Sequence, residues 1–278
     1  GRRCGALLET APKLQVVSNM AVGYNNIDLQ AATSMGIYVG NTPGVLTETT
    51  ADFTIALMLA WTRRIPEARA FASKGLWKTW NPQLFLGTDI NQATIGIVGL
   101  GRIGKSVARR ARGFDMRVLY FSRTRKPEAE RELGVEYAGD LKALLGQSDF
   151  ITLHVPLTPE TVHLIGEAEL KEIRPTAILI NTSRGEVVDQ LALYRALKIG
   201  SIAGAALDVT DPEPIDPNDP LIELPNVLIT PHIASATRAT RVKMALMAAQ
   251  NVVDVLEGRP PTHCVNPEAG KRPPQTSR

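Results

Sequence analysis

The sequence predicts an α/β protein organised on a doubly wound parallel sheet, with a second, smaller α/β unit beside it in the chain. Two observations carry that reading. Residues 94–105 run from a short apolar strand through glycines at 99, 101 and 104 into a helix. From residue 94 onward, strand-like apolar runs alternate with helical patterns, the arrangement that puts helices on the faces of a parallel sheet.

The bulk numbers agree with a folded protein. The 278 residues have room for two domains of ordinary size. A content of 44% hydrophobic and 21% charged residues is that of a globular chain, not a disordered one. No apolar run reaches the ~18 residues that a membrane span requires, and the first ten residues lack the apolar core of a signal peptide. The first residue is Gly1 and not Met, so the chain is expected to begin inside a longer protein. A net charge of +3, spread along the sequence, argues against a nucleic-acid surface. Cys4 and Cys264 stand near opposite ends without metal-ligand spacing. Neither a disulfide framework nor a metal site is therefore expected, and the compartment is expected to be the reducing cytoplasm.

Taken in order, residues 14–17 read as a strand, 29–32 as part of a helix and 37–39 as a second strand. The segment 19–24 between them reads as a strand-to-helix connection. Asn41-Thr42-Pro43-Gly44 breaks the pattern, and an apolar helix follows from Thr47, ending before Pro66 and expected to be buried. Residues 71–92 read as a loop carrying Trp77 and Trp80, aromatics that suit an interface or ordinary packing. Residues 94–123 form the first βαβ unit. Further strands are expected at 150–155, 177–181, 202–209 and 227–230, with helices around 141–145, 167–173 and 191–197. Residues 211–217 alternate proline with other residues and make a rigid loop. A long helix is expected over 236–256, and the last ten residues are polar and expected to be disordered.

The glycine motif is of the Rossmann type, and glycine is needed there for a tight turn, for the approach of a pyrophosphate to bare backbone, and for close helix–strand packing. The helix that follows offers unpaired N–H groups and a partial positive charge to phosphates. Gly99, Gly101, Arg102, Ile103 and Gly104 are thus the candidate cradle for a dinucleotide. After the second strand of such a unit, enzymes using NAD place an acid that hydrogen-bonds the ribose hydroxyls. This chain instead has Ser122, Arg123, Thr124 and Arg125, which suit a 2′-phosphate. The expected cofactor is NADP(H), with NAD(H) possible.

Ligands of such sheets lie outside the carboxyl ends of the strands. Arg184 follows the fourth predicted strand of the sheet, Asp208 and Glu213 the fifth, and His232 the sixth. Each alone has an ordinary structural reading, as a surface ion-pair arginine, a solvated acid or a hydrogen-bonded loop histidine. Together they suit one reaction. An arginine fork grips a carboxylate and polarises the adjacent carbonyl. A histidine delivers the proton that accompanies a hydride, and a neighbouring carboxylate orients it. The reaction class is hydride transfer to or from a 2-oxo or 2-hydroxy acid. His154 reads as a core or cofactor-edge residue, whereas His163 and His263 have no partners in view.

With these motifs in hand, the sequence resembles the D-isomer-specific 2-hydroxyacid dehydrogenases, and within them the reductases of glyoxylate and hydroxypyruvate. The resemblance runs from about residue 14 to 268. It rests on Val98–Gly104, on Asn181-Thr182-Ser183-Arg184-Gly185, on Ala205–Val209 and on Pro231–Thr237. Ala206 and Ala234 stand where relatives often have glycine. The resemblance implies a Rossmann-type cofactor domain over 46–237 and a flavodoxin-like substrate domain from 1–45 and 238–278, its first strands expected to precede residue 1. It implies that Arg184 binds the substrate carboxylate, that His232 is the acid/base and that Glu213 is its partner. The Val22 and Gly23 amides would also hold the carboxylate. Asp208 would meet the nicotinamide carboxamide, and Val155, Pro156, Thr161, Thr182, Ser183 and Ala234 would line the cofactor, with His232 beside it. Trp80 would reach from one subunit into its neighbour's active site, in a homodimer formed through residues 46–95. Two alternatives stay open: another dehydrogenase of the D-lactate or phosphoglycerate type, or a dinucleotide-sensing corepressor that binds proteins.

Overall fold

In the computed structural model, which describes residues 4–271, the chain divides into two compact units. One comprises the residues up to Leu46 together with those from Ser235 onward, and the other Thr47–Ala234.

The smaller unit holds α1 (Cys4–Glu9), β1 (Val16–Ser18), α2 (Leu29–Ser34), β2 (Tyr38–Gly40) and α10 (Arg238–Leu256). β1 and β2 pair in parallel, and Leu8, Ile27, Ala32, Ile37 and Val39 form their core. Local chemistry starts the helices: the Asp28 side chain accepts from the Ala31 amide, and that of Thr237 from the Thr240 amide. Beside the antiparallel bridge of Gly40 with Cys264, the Asn266 side chain extends the pairing, accepting from the Val39 amide at 2.7 Å and donating to the Ile37 carbonyl at 2.9 Å. Residues Pro267–Lys271 form a 3-10 turn, so the expected disorder of the last ten residues does not begin at 269, and beyond 271 it lies outside the described residues.

The larger unit is built on a seven-stranded sheet of order β5–β4–β3–β6–β7–β8–β9, parallel at every pairing. Its strands are β3 (Thr94–Val98), β4 (Arg117–Phe121), β5 (Glu136–Tyr137), β6 (Phe150–Leu153), β7 (Ile178–Asn181), β8 (Gly204–Leu207) and β9 (Val227–Ile229). Period-two alternation assigns the strand side chains to two cores. Ile95, Ile97, Phe150, Ile178 and Ile180 pack with α3 (Thr47–Thr62) and α5 (Arg102–Arg112). Val98, Ile151, Leu153, Leu179 and Leu207 pack with α7 (Leu141–Gln147), α8 (Glu167–Glu172) and α9 (Gln190–Lys198).

The structure corrects the sequence reading in three places. The helix from Thr47 is buried on one side only, because Glu48 and Asp52 leave its apolar stripe to pair with Arg109 and Arg110 of α5, the closest contact being 2.6 Å. Pro66 does not simply end a helix: it lies in the first turn of a separate one, α4 (Ile65–Ser73), where its missing N–H has no intrahelical acceptor to lose. The supposed loop therefore starts after Ser73. Between the second and third predicted strands of the sheet, a short charged helix, α6 (Pro127–Leu133), and a seventh strand, β5, were unforeseen, since neither is long enough to show an apolar period.

Candidate active site

The cradle at the end of β3 is made by main chain. Gly99 has φ +97°, and a Cβ there would lie 2.8 Å from the His154 carbonyl; a Cβ on Gly104 would lie 2.2 Å from the Gly99 carbonyl. The turn and the helix–strand contact thus both exclude side chains. At Gly101 the opposite holds: a Cβ would meet nothing within 4 Å, so the glycine leaves open space at the N-terminus of α5. No side chain caps that terminus, leaving the first-turn amides of Arg102, Ile103 and Gly104 directed at the opening. A dinucleotide pyrophosphate fits this arrangement.

At the carboxyl end of β7, Asn181 shapes the turn that presents Arg184. Its Oδ1 accepts from the Ser183 amide at 2.9 Å and hydroxyl at 2.7 Å, while its Nδ2 donates to the Arg184 carbonyl at 2.8 Å. Such a side-chain-closed turn is the signal that an asparagine after a strand carries, and the sequence reading passed over it. Gly185 lets this turn approach the segment after β8, since a Cβ there would fall 2.0 Å from the Thr210 carbonyl. Arg184 donates to the Ser183 carbonyl at 2.6 Å. Burial lowers the pKa of its guanidinium from the ordinary value, and the charges of Glu213 and Glu186 oppose that shift. Thr182 is buried, its hydroxyl 3.0 Å from that of Thr54 on α3.

His232 lies beyond β9 in a left-handed conformation, φ 52°, which is uncommon for a residue with a side chain. Asp208 holds it there. The Asp208 carbonyl accepts from the His232 amide at 3.0 Å. Its buried carboxylate accepts from the Thr230 hydroxyl at 2.6 Å, the Ile233 amide at 2.8 Å and the Ala234 amide at 2.7 Å. The imidazole Nδ1 is 2.5 Å from Glu213 Oε1, and both side chains are open to solvent, at 44% and 41%. With Nδ1 committed to Glu213, Nε2 is the nitrogen left for a substrate. Arg184, Asp208, Glu213 and His232 are therefore gathered at one edge, beyond the carboxyl ends of β7, β8 and β9.

Other candidate residues have structural partners of their own. Val155 adjoins Gly99, and the Thr161 hydroxyl donates to the Pro156 carbonyl at 2.6 Å, closing the turn after β6. Ser122 donates to the Thr124 carbonyl at 2.8 Å, whereas Arg125 forms an ion pair with Glu130 of α6. Arg123 is exposed, with no hydrogen bond or ion pair among the described residues. His154 follows β6 and lies 2.8 Å through Nε2 from the Thr152 hydroxyl; burial pushes its pKa down to about 3. Trp80 is 78% exposed, and Leu76, Trp77 and Leu86 are exposed as well. In the smaller unit the Val22 and Gly23 carbonyls accept from Asn41 and Asn19, at 2.9 and 2.6 Å. Among the described residues their amides make no hydrogen bond.

Among the described residues no cluster of three or more His, Cys, Asp and Glu side chains is placed to hold a metal ion, and no helix is long and apolar enough to cross a membrane. A cavity of about 570 Å³ lies at the opposite, amino-terminal edge of β8 and β9, lined by Trp61, Arg64, Leu86, Ile222 and Asn226 among others. It contains none of the candidate residues.

Comparison with known proteins bears on this arrangement. A family model described as "D-isomer specific 2-hydroxyacid dehydrogenase, NAD binding domain" matches residues 55–234. A glyoxylate reductase of Korarchaeum cryptofilum is 56% identical over 270 residues, which is 96% of this chain and 81% of that protein. A solved structure from Thermus thermophilus has a TM-score of 0.88 at 49% identity, covering 94% of this chain and 82% of that one. An NADPH-dependent glyoxylate/hydroxypyruvate reductase of Sinorhizobium meliloti, in complex with citrate, gives 0.85 at 35% identity, covering 95% of this chain and 82% of that one.

Proposed function

The chain belongs to the D-isomer-specific 2-hydroxyacid dehydrogenase family, and from that premise we propose that it reduces glyoxylate and hydroxypyruvate to D-2-hydroxy acids with NAD(P)H. The observation that carries the proposal is the His232–Glu213 pair, 2.5 Å apart, standing at the same sheet edge as Arg184. Arg184 binds the substrate carboxylate and polarises its carbonyl through a planar fork that a lysine cannot reproduce. The nicotinamide supplies the hydride when bound. His232 gives its Nε2 proton to the carbonyl oxygen as the alcohol forms, and its Nδ1–H stays on the ring, donated to Glu213, throughout. Glu213 thereby fixes the ring orientation and leaves Nε2 facing the substrate. The cofactor would lie on Gly99, Gly101, Arg102, Ile103 and Gly104, along Val155, Pro156, Thr161, Thr182, Ser183 and Ala234.

The same reading prefers NADP(H). Its support is the basic segment 122–125 after β4, which offers no acid to a ribose hydroxyl. The NADPH dependence of the Sinorhizobium relative points the same way. The exposed apolar side chains at 76, 77, 80 and 86 support a homodimer through residues 46–95, tested by sedimentation. Cytoplasmic residence is proposed on the free thiol of Cys264 and tested by fractionation.

The decisive assay follows oxidation of NADPH by glyoxylate and by hydroxypyruvate, repeated with NADH. Turnover faster with NADPH is expected. Absence of turnover with either acid, in a protein that binds the cofactor, would overturn the reductase reading. Faster turnover with NADH would overturn the cofactor preference alone.

A further inference from the structure

The segment after β4 carries two arginines, and the structure treats them differently. Arg125 is held in a two-point ion pair: its Nε donates to Glu130 Oε1 at 2.9 Å and its Nη2 to Oε2 at 2.8 Å. Parallel contacts of this kind are the strong, geometrically specific form of an arginine–carboxylate pair. The guanidinium also lies over the Tyr137 ring, 5.8 Å from its centroid.

Glu130 is itself anchored. The hydroxyl of Tyr120, a fully buried residue of β4, donates to Glu130 Oε1 at 2.6 Å and accepts from the Lys126 amide at 2.7 Å. Arg125 and Tyr120 together pull the Glu130 carboxyl down to about 2, so the acid stays ionised across the working range. A buried tyrosine thus fixes an acid, and the acid fixes an arginine. Two residues earlier in the chain, Arg123 is exposed and meets the charge of Glu160 only through space, with no hydrogen bond or ion pair among the described residues.

We propose that Glu130 is a cofactor-specificity residue: by engaging Arg125 it withdraws that guanidinium from the 2′-phosphate and leaves Arg123 to read it. The inference rests on the NADP(H) reading above and deepens it. An acid in this part of a dinucleotide site disfavours a 2′-phosphate by like-charge repulsion. Here the acid comes from α6 and not from the end of β4. Its charge is largely spent on Arg125, so phosphate binding is weakened but not prevented. The site accordingly discriminates between the two cofactors less sharply than two free arginines would.

The test measures Kd for NADPH and NADH by nicotinamide fluorescence, without substrate, and reads the ratio of the two. Melting temperatures of all variants are recorded. Glu130→Gln is expected to shift the ratio about three- to tenfold toward NADPH, since it removes a charge and releases Arg125. Arg123→Gln is expected to shift it about tenfold the other way. The double variant Arg125→Gln with Glu130→Gln removes the pair as a unit and is expected to stay within about threefold of wild type. A double variant that loses NADPH as severely as Arg123→Gln would make Arg125 the phosphate reader and overturn the inference. So would a folded Glu130→Gln protein with an unchanged ratio. If the Glu130 variants fail to fold, Arg123→Gln at its exposed position still decides: a change under twofold overturns the assignment. Equal wild-type Kd values, unmoved by Arg123→Gln, would overturn the NADP(H) preference and the inference with it. A wild-type preference for NADPH that Arg123→Gln abolishes and Glu130→Gln leaves alone would overturn only the inference.

Discussion

Around residues 99–104 the contacts are main chain against main chain, and at Gly99 and Gly104 neighbouring carbonyls leave no room for a Cβ. At residues 120–130 they are side chain against side chain, with an arginine, a glutamate and a tyrosine hydroxyl linked in turn. In the proposed function both regions face one cofactor. The first is specified by single residue identities, and a replacement at Gly99 or Gly104 must move backbone. The second is specified by pairs, so replacing one member redirects the other. Backbone-built sites should therefore fail by unfolding or by lost access, and pair-built sites by altered chemistry in an intact fold.

The largest expected effect breaks the first region. Gly104→Ala places a Cβ 2.2 Å from the Gly99 carbonyl, a contact that only a shift of α5 away from β3 can relieve. A loss of about 3 kcal/mol or more is expected, read as a fall in melting temperature of roughly 6–12 °C. Gly101→Ala is the contrast, because its Cβ meets nothing within 4 Å. That variant should melt within a few degrees of wild type yet bind cofactor at least about tenfold more weakly, its methyl occupying the pyrophosphate's approach. If both variants melt alike, the division of labour among these glycines is wrong.

Next comes the exposed pair beyond β9. His232→Ala removes the proposed acid/base and should lower kcat by roughly 10²–10⁴. Cofactor Kd should stay within about threefold. The pair's solvent exposure limits its share of stability to about 1 kcal/mol or less, so the melting temperature should barely move. Wild-type turnover in that variant would remove His232 from the mechanism.

Asp208 tests whether a side chain can behave like backbone. Its carboxylate accepts from two amides and a hydroxyl. In Asp208→Asn one of those amides meets an NH₂ donor in place of an acceptor. About 2 kcal/mol of destabilisation is expected, or roughly 4–8 °C in melting temperature. The fall in kcat should accompany it, because the left-handed His232 loses its restraint. A variant that loses only cofactor affinity, with stability and the pH profile of kcat intact, would return Asp208 to the nicotinamide contact that the family resemblance implies.

What the sequence made legible follows the same division. The parallel sheet, the glycine cradle and the positions of Arg184, Asp208, Glu213 and His232 at strand ends were all readable, because periodicity and chain order determine them. The Glu130 latch was not. It depends on a seven-residue helix too short to show a period, and on a tyrosine whose hydroxyl emerges from an otherwise apolar strand. Nor did the sequence reveal that Asp208 spends its carboxylate on the loop bearing His232, residues that the pairing of β8 with β9 brings together. In both places, residue type was a correct guide to charge and a poor one to partner.

His154 gives the smallest and most easily isolated effect. Its carbonyl packs against Gly99 and its ring against Thr152, so it belongs to the backbone-built region while carrying a titratable group. Burial holds its folded-state pKa at about 3, far below the ordinary 6.5. Between those values the unfolded chain binds a proton that the folded one refuses, so stability rises with pH across that window and falls as pH drops through it. Below about 3 both states are protonated and the dependence levels off. The slope from this residue is at most about 1.4 kcal/mol per pH unit. His154→Gln, which keeps an amide that can pair with Thr152, should show a shallower fall in melting temperature between neutral pH and pH 4 than wild type. Parallel melting curves for the two proteins would mean that the imidazole is protonated in the folded state as readily as in the unfolded one, and the region around Gly99 would then tolerate a charge that its packing argues against.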